Sequence, residues 1–102
     1  MPMKVRVQSV NFNVDQGLIN FIDGKINNLE RFYDKIIDAE VFLKVQKTSE
    51  KENKMADVKL NIAGDELIVK KQCKSFEESI DLAAESLRRQ LNKKKEKQRA
   101  HY

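Results

Sequence analysis

The stretch Ala56-Asp57-Val58-Lys59-Leu60-Asn61-Ile62-Ala63-Gly64-Asp65-Glu66-Leu67-Ile68-Val69-Lys70-Lys71-Gln72 decides the fold. Ala56, Val58, Leu60 and Ile62 alternate with polar residues, the period-two pattern of a strand with one face covered and one face wet. Ala63-Gly64-Asp65-Glu66 reads as a turn, and Leu67 to about Gln72 as the next strand. A connection this short that contains glycine makes the pair a hairpin. Directly after it, Ser75-Phe76-Glu77-Glu78 fits a capping box, with Ser75 as N-cap and Glu78 three positions on. Phe76, Ile80, Ala83, Leu87 and Leu91 then recur as the inner stripe of a long helix without proline. It is expected to run to about Lys95 before fraying.

Working back from the hairpin, Lys47 to Asn53 is polar and aperiodic, the pattern of a mobile loop. Ala39, Val41, Leu43 and Val45 alternate with Asp38, Glu40, Phe42 and Lys44, giving another strand with the first set inward. Leu18, Ile22, Ile26, Leu29 and Tyr33 define one face of a helix, widened by Phe21 and Phe32. Asp15 is its expected N-cap, with Val14 and Ile19 placed for a hydrophobic staple. Gly17 and Gly24 each lower helicity by about 1 kcal/mol, so this helix must rely on tertiary packing. Before it, Lys4 to Val10 alternate as a strand with Val5 and Val7 on one side, and Asn11 to Asp15 break the period. The order is β-α-β-β-β-α. Strands with one apolar face need a cover on one side only, and each helix has a single apolar stripe. The expectation is an α/β (α+β) two-layer sandwich: a four-stranded mixed sheet with both helices on one face. The first strand–helix–strand unit should be a right-handed crossover between parallel strands.

Composition excludes much. The chain has 102 residues, enough for one domain. With 40% hydrophobic residues it can fill a modest core but not enclose a large pocket. No apolar run approaches the roughly 18 residues of a membrane span, and the first residues lack the apolar stretch of a secretory signal. One cysteine, Cys73, permits no internal disulfide, which suits an intracellular or redox-indifferent chain. One cysteine and one histidine, His101, cannot build a Cys/His metal cluster or a nucleophilic triad. No glycine-rich phosphate loop is present. Cys73 reads as a small, partly buried hydrophobe rather than a nucleophile. Phe12, Phe21, Phe32 and Phe76 read as core, while Phe42, on the polar side of its strand, is expected to tuck under a neighbouring loop. These missing parts argue against an enzyme and predict no cofactor and no small-molecule substrate.

The net charge of +4 is mild, but its distribution is not. From Arg88 to Tyr102 there are seven bases and one acid, Glu96, a local net of +6, preceded by Glu77, Glu78, Asp81 and Glu85. Acids early and bases late complement a helix dipole, though two or three terminal bases would suffice for that. The remainder is either a solubilising tail or a contact for a polyanion. With Leu87 inward at 100° per residue, Arg89 lies about 200° and Lys93 about 240° around the helix, an outward i,i+4 pair, while Arg88 and Lys95 flank the stripe. On the first helix, with Ile22 inward, Arg31 falls near about 180° and Lys35 near about 220°, with Lys25 at the margin. Neighbouring helices would merge these into one surface of Lys25, Arg31, Lys35, Arg88, Arg89 and Lys93, extended by Lys95, Lys97 and Arg99. Such a surface suits the phosphates of structured RNA, and a solubilising face is its alternative. A protein-interaction domain that uses the wet sheet face around Phe42 and Ile68 is a third reading.

Several stretches together resemble a known family: Val10-Asn11-Phe12-Asn13-Val14; Lys25-Ile26-Asn27-Asn28-Leu29-Glu30-Arg31-Phe32-Tyr33 followed by Asp34-Lys35-Ile36; Leu43-Lys44-Val45-Gln46-Lys47; and Ser75-Phe76-Glu77-Glu78-Ser79-Ile80-Asp81. The most specific is Leu87-Arg88-Arg89-Gln90-Leu91-Asn92-Lys93-Lys94-Lys95-Glu96-Lys97. In their order and spacing, over about residues 3–99, they resemble the ribosome hibernation-promoting factor and ribosome-associated inhibitor family. The resemblance implies the same β-α-β-β-β-α fold. It implies binding to the small ribosomal subunit and its 16S rRNA in the decoding channel, blocking messenger RNA and A- and P-site transfer RNA in the cytoplasm under stress or in stationary phase. The family's basic positions carry over onto Lys25, Arg89, Lys93, Lys95 and Lys97, with Lys35 at a position usually basic; Arg31 and Arg88 are added by helix geometry. Ile19 stands where relatives often carry a base. The expected organisation is a single ribosome-binding domain over 1–102, with a basic helix end and tail at about 93–102, similar to the short form and monomeric off the ribosome.

Overall fold

The computed structural model describes residues 3–10, 12–46 and 51–99, with side chains through Lys97. Asn11, residues 47–50 of the expected loop, and the end of the tail with His101 lie outside the described residues. The elements are β1 (Lys4–Val10), α1 (Gln16–Asn27), a short 3₁₀ turn (Asn28–Arg31), β2 (Ile36–Val45), β3 (Lys54–Ile62), β4 (Asp65–Cys73) and α2 (Phe76–Arg99). The sheet order is β1-β2-β3-β4, with β1 parallel to β2 and the other pairs antiparallel. This is the mixed four-stranded β-α-β-β-β-α sheet that the alternation predicts.

The hairpin is tighter than its sequence suggests. Ile62 pairs with Asp65, so β4 starts two residues before Leu67 and the turn is Ala63-Gly64 alone. Gly64 sits at φ 81°, in the left-handed region that a two-residue hairpin turn requires and a side chain disfavours. The inward residues Ala56, Val58, Leu60, Ile62, Leu67 and Val69 are all buried under α2, which lies across β3 and β4. Helix α1 packs beside α2 and over β1. Ile22 and Ile26 from α1 and Ile80, Leu87 and Leu91 from α2 are fully buried, and they join Val41, Leu43, Val58 and Leu60 in one cluster.

The ends of the helices differ from expectation in instructive ways. The Ser75 hydroxyl accepts the Glu78 backbone N–H at 3.1 Å, the Ser half of the capping box. Asp15 has the extended N-cap conformation, yet its side chain bonds no first-turn N–H; its carbonyl starts the helix by accepting from Ile19 at 3.1 Å. The first helix does not run unbroken to Tyr33. Asn27 turns its side-chain amide back to the Asp23 carbonyl at 3.0 Å and carboxylate at 2.9 Å, and the chain tightens into the 3₁₀ turn at Asn28. Lys35 therefore lies beyond any helix, in the turn before β2. In contrast, α2 continues past Lys95 to Arg99, because residues 95–99 are all good helix formers and contain neither Gly nor Pro.

Two apolar residues differ from expectation. Val45, expected inward, is 39% exposed at the end of β2, and Phe42 is 41% exposed on the wet face rather than tucked away. Phe12, half-buried, stacks on Phe76 with ring centroids 5.2 Å apart, which closes the core at the start of α2. Cys73 is buried at the end of β4, as a small hydrophobe should be.

One polar contact joins the two layers. Ser79 is fully buried, and its hydroxyl donates to the Lys54 carbonyl at 2.7 Å, tying the first turn of α2 to the start of β3. Replacing it with alanine removes that donor from the Lys54 carbonyl and leaves a small void at a fully buried position. Ser79→Ala should cost about 1–2 kcal/mol, read as a lower urea midpoint with an unchanged slope.

Candidate nucleic-acid interface

Because α1 and α2 cover one face of the sheet, their outer surfaces lie side by side, opposite the wet sheet face. The two surfaces treat charge differently. On the sheet, register places Arg6 beside Glu40, and Glu40 beside Lys59. Arg6 reaches Asp38 at 3.6 Å and Glu40 at 3.3 Å, and Lys59 reaches Glu66 at 3.2 Å. Lys59 also meets Glu40, and Lys70 meets Asp57, both at 4.0 Å. Most charges of the sheet face thus meet a cross-strand neighbour of opposite sign, while Lys4 and Lys44 at its margin form no ion pair among the described residues.

The helix surface is different. Among the described residues, Arg31, Lys35, Arg88, Lys93, Lys95 and Lys97 form no ion pair, and all six are exposed. Two of the expected bases are engaged. Lys25 meets Asp81 across the helix pair at 2.8 Å, and Arg89 meets Glu85 one turn back along α2 at 3.0 Å. Of the three consecutive lysines on α2, Lys93 and Lys95 are free, while Lys94 turns to the sheet and meets Asp65, the first residue of β4, at 2.7 Å.

The bases divide into two ridges. One follows the seam between the helices. Lys25 and Arg88 line a groove of about 330 Å³ with Asn28, Leu29, Phe32, Asp81, Leu82, Ala84 and Glu85. Arg31 and Lys95 line an adjoining recess with Glu30, Phe32, Tyr33 and Asp34. Aromatic rings hold the two cations of the groove. Lys25 Nζ lies 5.6 Å from the Phe21 centroid, and the Arg88 guanidinium lies 5.6 Å from that of Phe32. Such contacts fix a cation without neutralising it. The other ridge is Arg89, Lys93 and Lys97 at i, i+4 and i+8 along α2. Lys95 and Lys97 lie about 160° apart around the axis, so they serve different ridges rather than one continuous patch. Lys35 lies in the turn before β2, where its carbonyl accepts the Ala63 N–H at 2.9 Å, and it lines neither recess; Arg31 comes from the 3₁₀ turn, where tighter winding displaces it from its α-helical position.

Residues 5–99 match the family described as sigma 54 modulation protein / S30EA ribosomal protein. The chain belongs to this family. It is one of ribosome-binding proteins without enzymatic activity. A ribosome hibernation promoting factor of Azotobacter vinelandii is 32% identical over 96 residues, covering 94% of this chain and 86% of that protein. Another of Escherichia coli is 28% identical over 99 residues, covering 97% and 100%. The fold agrees with the N-terminal domain of Thermus thermophilus Protein Y, with a TM-score of 0.76 at 18% identity over 91% of this chain and 98% of that one. It also agrees with a ribosomal subunit interface protein of Coxiella burnetii, with a TM-score of 0.80 at 17% identity over the same shares. Among the described residues of this S30EA-family chain, no three His, Cys, Asp or Glu side chains are placed to hold a metal ion, and no helix is long and apolar enough to cross a membrane.

Sequence reasoning read Asp81 and Glu85 as dipole-complementing acids and missed their pairing with the bases of the surface. Glu85 and Arg89 were readable as an i,i+4 pair, but Lys25 and Asp81 are joined only by the packing of α1 on α2. It also missed the structural use of Lys94. The Lys94 ammonium bonded to Asp65, followed by the Glu66 backbone N–H, holds the Asp65 carboxyl below the usual carboxylate range. The same bond raises the Lys94 ammonium above the usual lysine range. A lowered carboxyl favours folding above its ordinary pKa and loses that contribution as pH falls through the lowered value. A raised ammonium favours folding below its ordinary pKa and loses it as pH rises through the raised value. The contact is thus intact through neutral pH and fails at both extremes. Lys94→Gln should move the Asp65 titration back up toward the ordinary range, as followed by carboxyl chemical shifts; an unmoved titration would count against the contact.

Proposed function

We propose that this chain is a cytoplasmic ribosome hibernation factor that binds the small ribosomal subunit through 16S rRNA. The helix surface enters the decoding channel between head and body, blocks messenger RNA and A- and P-site transfer RNA, and so inhibits translation under stress or in stationary phase. Occlusion makes and breaks no bond. The observation that carries this reading is the contrast between the faces: most charges of the sheet face meet a cross-strand partner, with Lys4 and Lys44 as its exposed exceptions, whereas Arg31, Arg88, Lys93, Lys95 and Lys97 on the helix side and Lys35 in the turn before β2 form no ion pair among the described residues. Family membership supports the ribosome as the source of the polyanion, and its relatives carry the name ribosome hibernation promoting factor.

In this reading Lys25, Arg31, Lys35, Arg88, Arg89, Lys93, Lys95 and Lys97 contact phosphates. Arginine forks onto a phosphate while lysine acts as a mobile point charge, so the seam ridge with Arg31 and Arg88 sets orientation and the lysines add attraction. The fold acts as a single domain, monomeric off the ribosome. Structured RNA presents its backbone and shape rather than its bases, which suits a rigid pair of helices.

Sucrose-gradient co-sedimentation with purified small subunits tests the proposal, with and without bound messenger and initiator transfer RNA. Binding that those ligands suppress is the expected result. Binding that ignores them would move the contact elsewhere on the ribosome, and equal affinity for any RNA duplex would reduce the chain to a general RNA-binding module. Six phosphate contacts predict a log–log salt slope of roughly −4 to −5. Arg89→Glu with Lys93→Glu should weaken binding by about tenfold or more while helix content by circular dichroism stays the same, since both side chains point outward. Unchanged affinity would remove the outer ridge from the interface.

A further inference from the structure

Two carboxylates lie within the surface to which phosphates are assigned, each on a base of that surface. Asp81 Oδ1 is 2.8 Å from Lys25 Nζ, and Glu85 Oε1 is 3.0 Å from Arg89 Nη2. Both acids line the same groove between the helices, beside Arg88.

From this geometry we infer that Asp81 and Glu85 act as built-in phosphate mimics: they occupy Lys25 and Arg89 in the free protein, and a bound RNA phosphate must displace them. The inference rests on the proposed RNA-binding surface and adds to it the two residues that oppose binding. Access permits the exchange, since the four side chains are between 44% and 68% exposed. Exposed pairs of this kind are weak, so displacement is feasible. Lys25 also lies over the Phe21 ring, which keeps its ammonium positioned when the carboxylate leaves. The consequence is selectivity. A ligand that makes one or two chance phosphate contacts must displace a carboxylate for little return. A ligand that engages the free bases Arg88, Lys93 and Lys95 at the same time has the binding energy to do so.

A plain alternative exists for each pair. Glu85 and Arg89 are an i,i+4 pair that supports the helix, and removing any acid raises the overall positive field. A double-mutant cycle separates these from displacement, because the gain must depend on the base that is uncovered. Affinity would be measured at fixed salt for the full chain as wild type, Asp81→Asn, Lys25→Gln and the double variant, and likewise for Glu85→Gln with Arg89→Gln. The probes are purified small subunits and an RNA duplex of unrelated sequence. Asp81→Asn should tighten binding by about two- to fivefold, the range set by an exposed ion pair. The gain should vanish in the Lys25→Gln background. An equal gain in that background would reduce the effect to general charge and overturn the inference, as would weaker binding by Asp81→Asn. The Lys25–Asp81 cycle joins two helices, so it stands even if Glu85→Gln loosens α2, which circular dichroism would show. A wild-type chain that fails on small subunits but binds the duplex sinks the proposed function alone, and the cycle on the duplex still decides this inference. A wild-type chain that binds neither overturns both.

Discussion

The burial of Leu87 and Leu91 fixes the direction of every charge at the end of α2. Both side chains are fully buried over the β3–β4 hairpin, with Ile80 and Ala83 continuing the line. Once that stripe faces the sheet, the turn of about 100° per residue leaves no freedom: Arg89, Lys93 and Lys97 must face outward, and Arg88 and Lys95 must face α1. Lys94, nearly in line with the stripe, must meet the sheet, where Asp65 receives it. A core contact of ordinary apolar type thus sorts three successive lysines into two that are free and one that is structural. The buried hydroxyl of Ser79 and the cap at Ser75 set where the helix begins, and so the phase of the whole pattern.

The layers were legible because each strand alternates and each helix carries one stripe, so local period and global burial agree. Legibility failed where the winding changes or where an element ends. Nothing in the stripe Leu18 to Tyr33 signals the change of winding at Asn28, because spacings of 3 and 4 suit an α-helix and a tighter turn alike. Val45 keeps the inward parity of its strand but is exposed at the strand end, because parity describes direction and not coverage. In the candidate interface, the identity of the bases could be read from the wheel. Their partition into a seam and an outer ridge could not, nor could the Lys25–Asp81 contact, which spans 56 positions in sequence and depends on how two helices lie together.

The two faces of the molecule resolve the same composition in opposite ways. Cross-strand register brings unlike charges side by side at fixed spacing, so Arg6, Glu40 and Lys59 neutralise one another without any ligand. A helix offers partners only three or four residues away, and after Glu85 the only acid on α2 is Glu96. The bases of the last three turns of α2 therefore have too few partners of their own. A net charge of +4 conceals this, because it averages a balanced sheet with a basic helix end.

Rigidity adds to the value of the two groove bases, Lys25 and Arg88. A long flexible cation loses rotamer freedom when it is fixed on a phosphate, and that cost erodes the attraction. Arg88 resting on Phe32 and Lys25 on Phe21 have lost part of that freedom before any ligand arrives. The Phe21 ring is itself packed against the core, while half-buried Phe32 lines both recesses of the seam. Core packing, the Phe21 ring and the Lys25 ammonium thus form one chain of constraint from the interior to the surface. A ligand recognised by backbone shape needs phosphates met at fixed spacings, and only a surface held from beneath can offer charges at spacings that do not change.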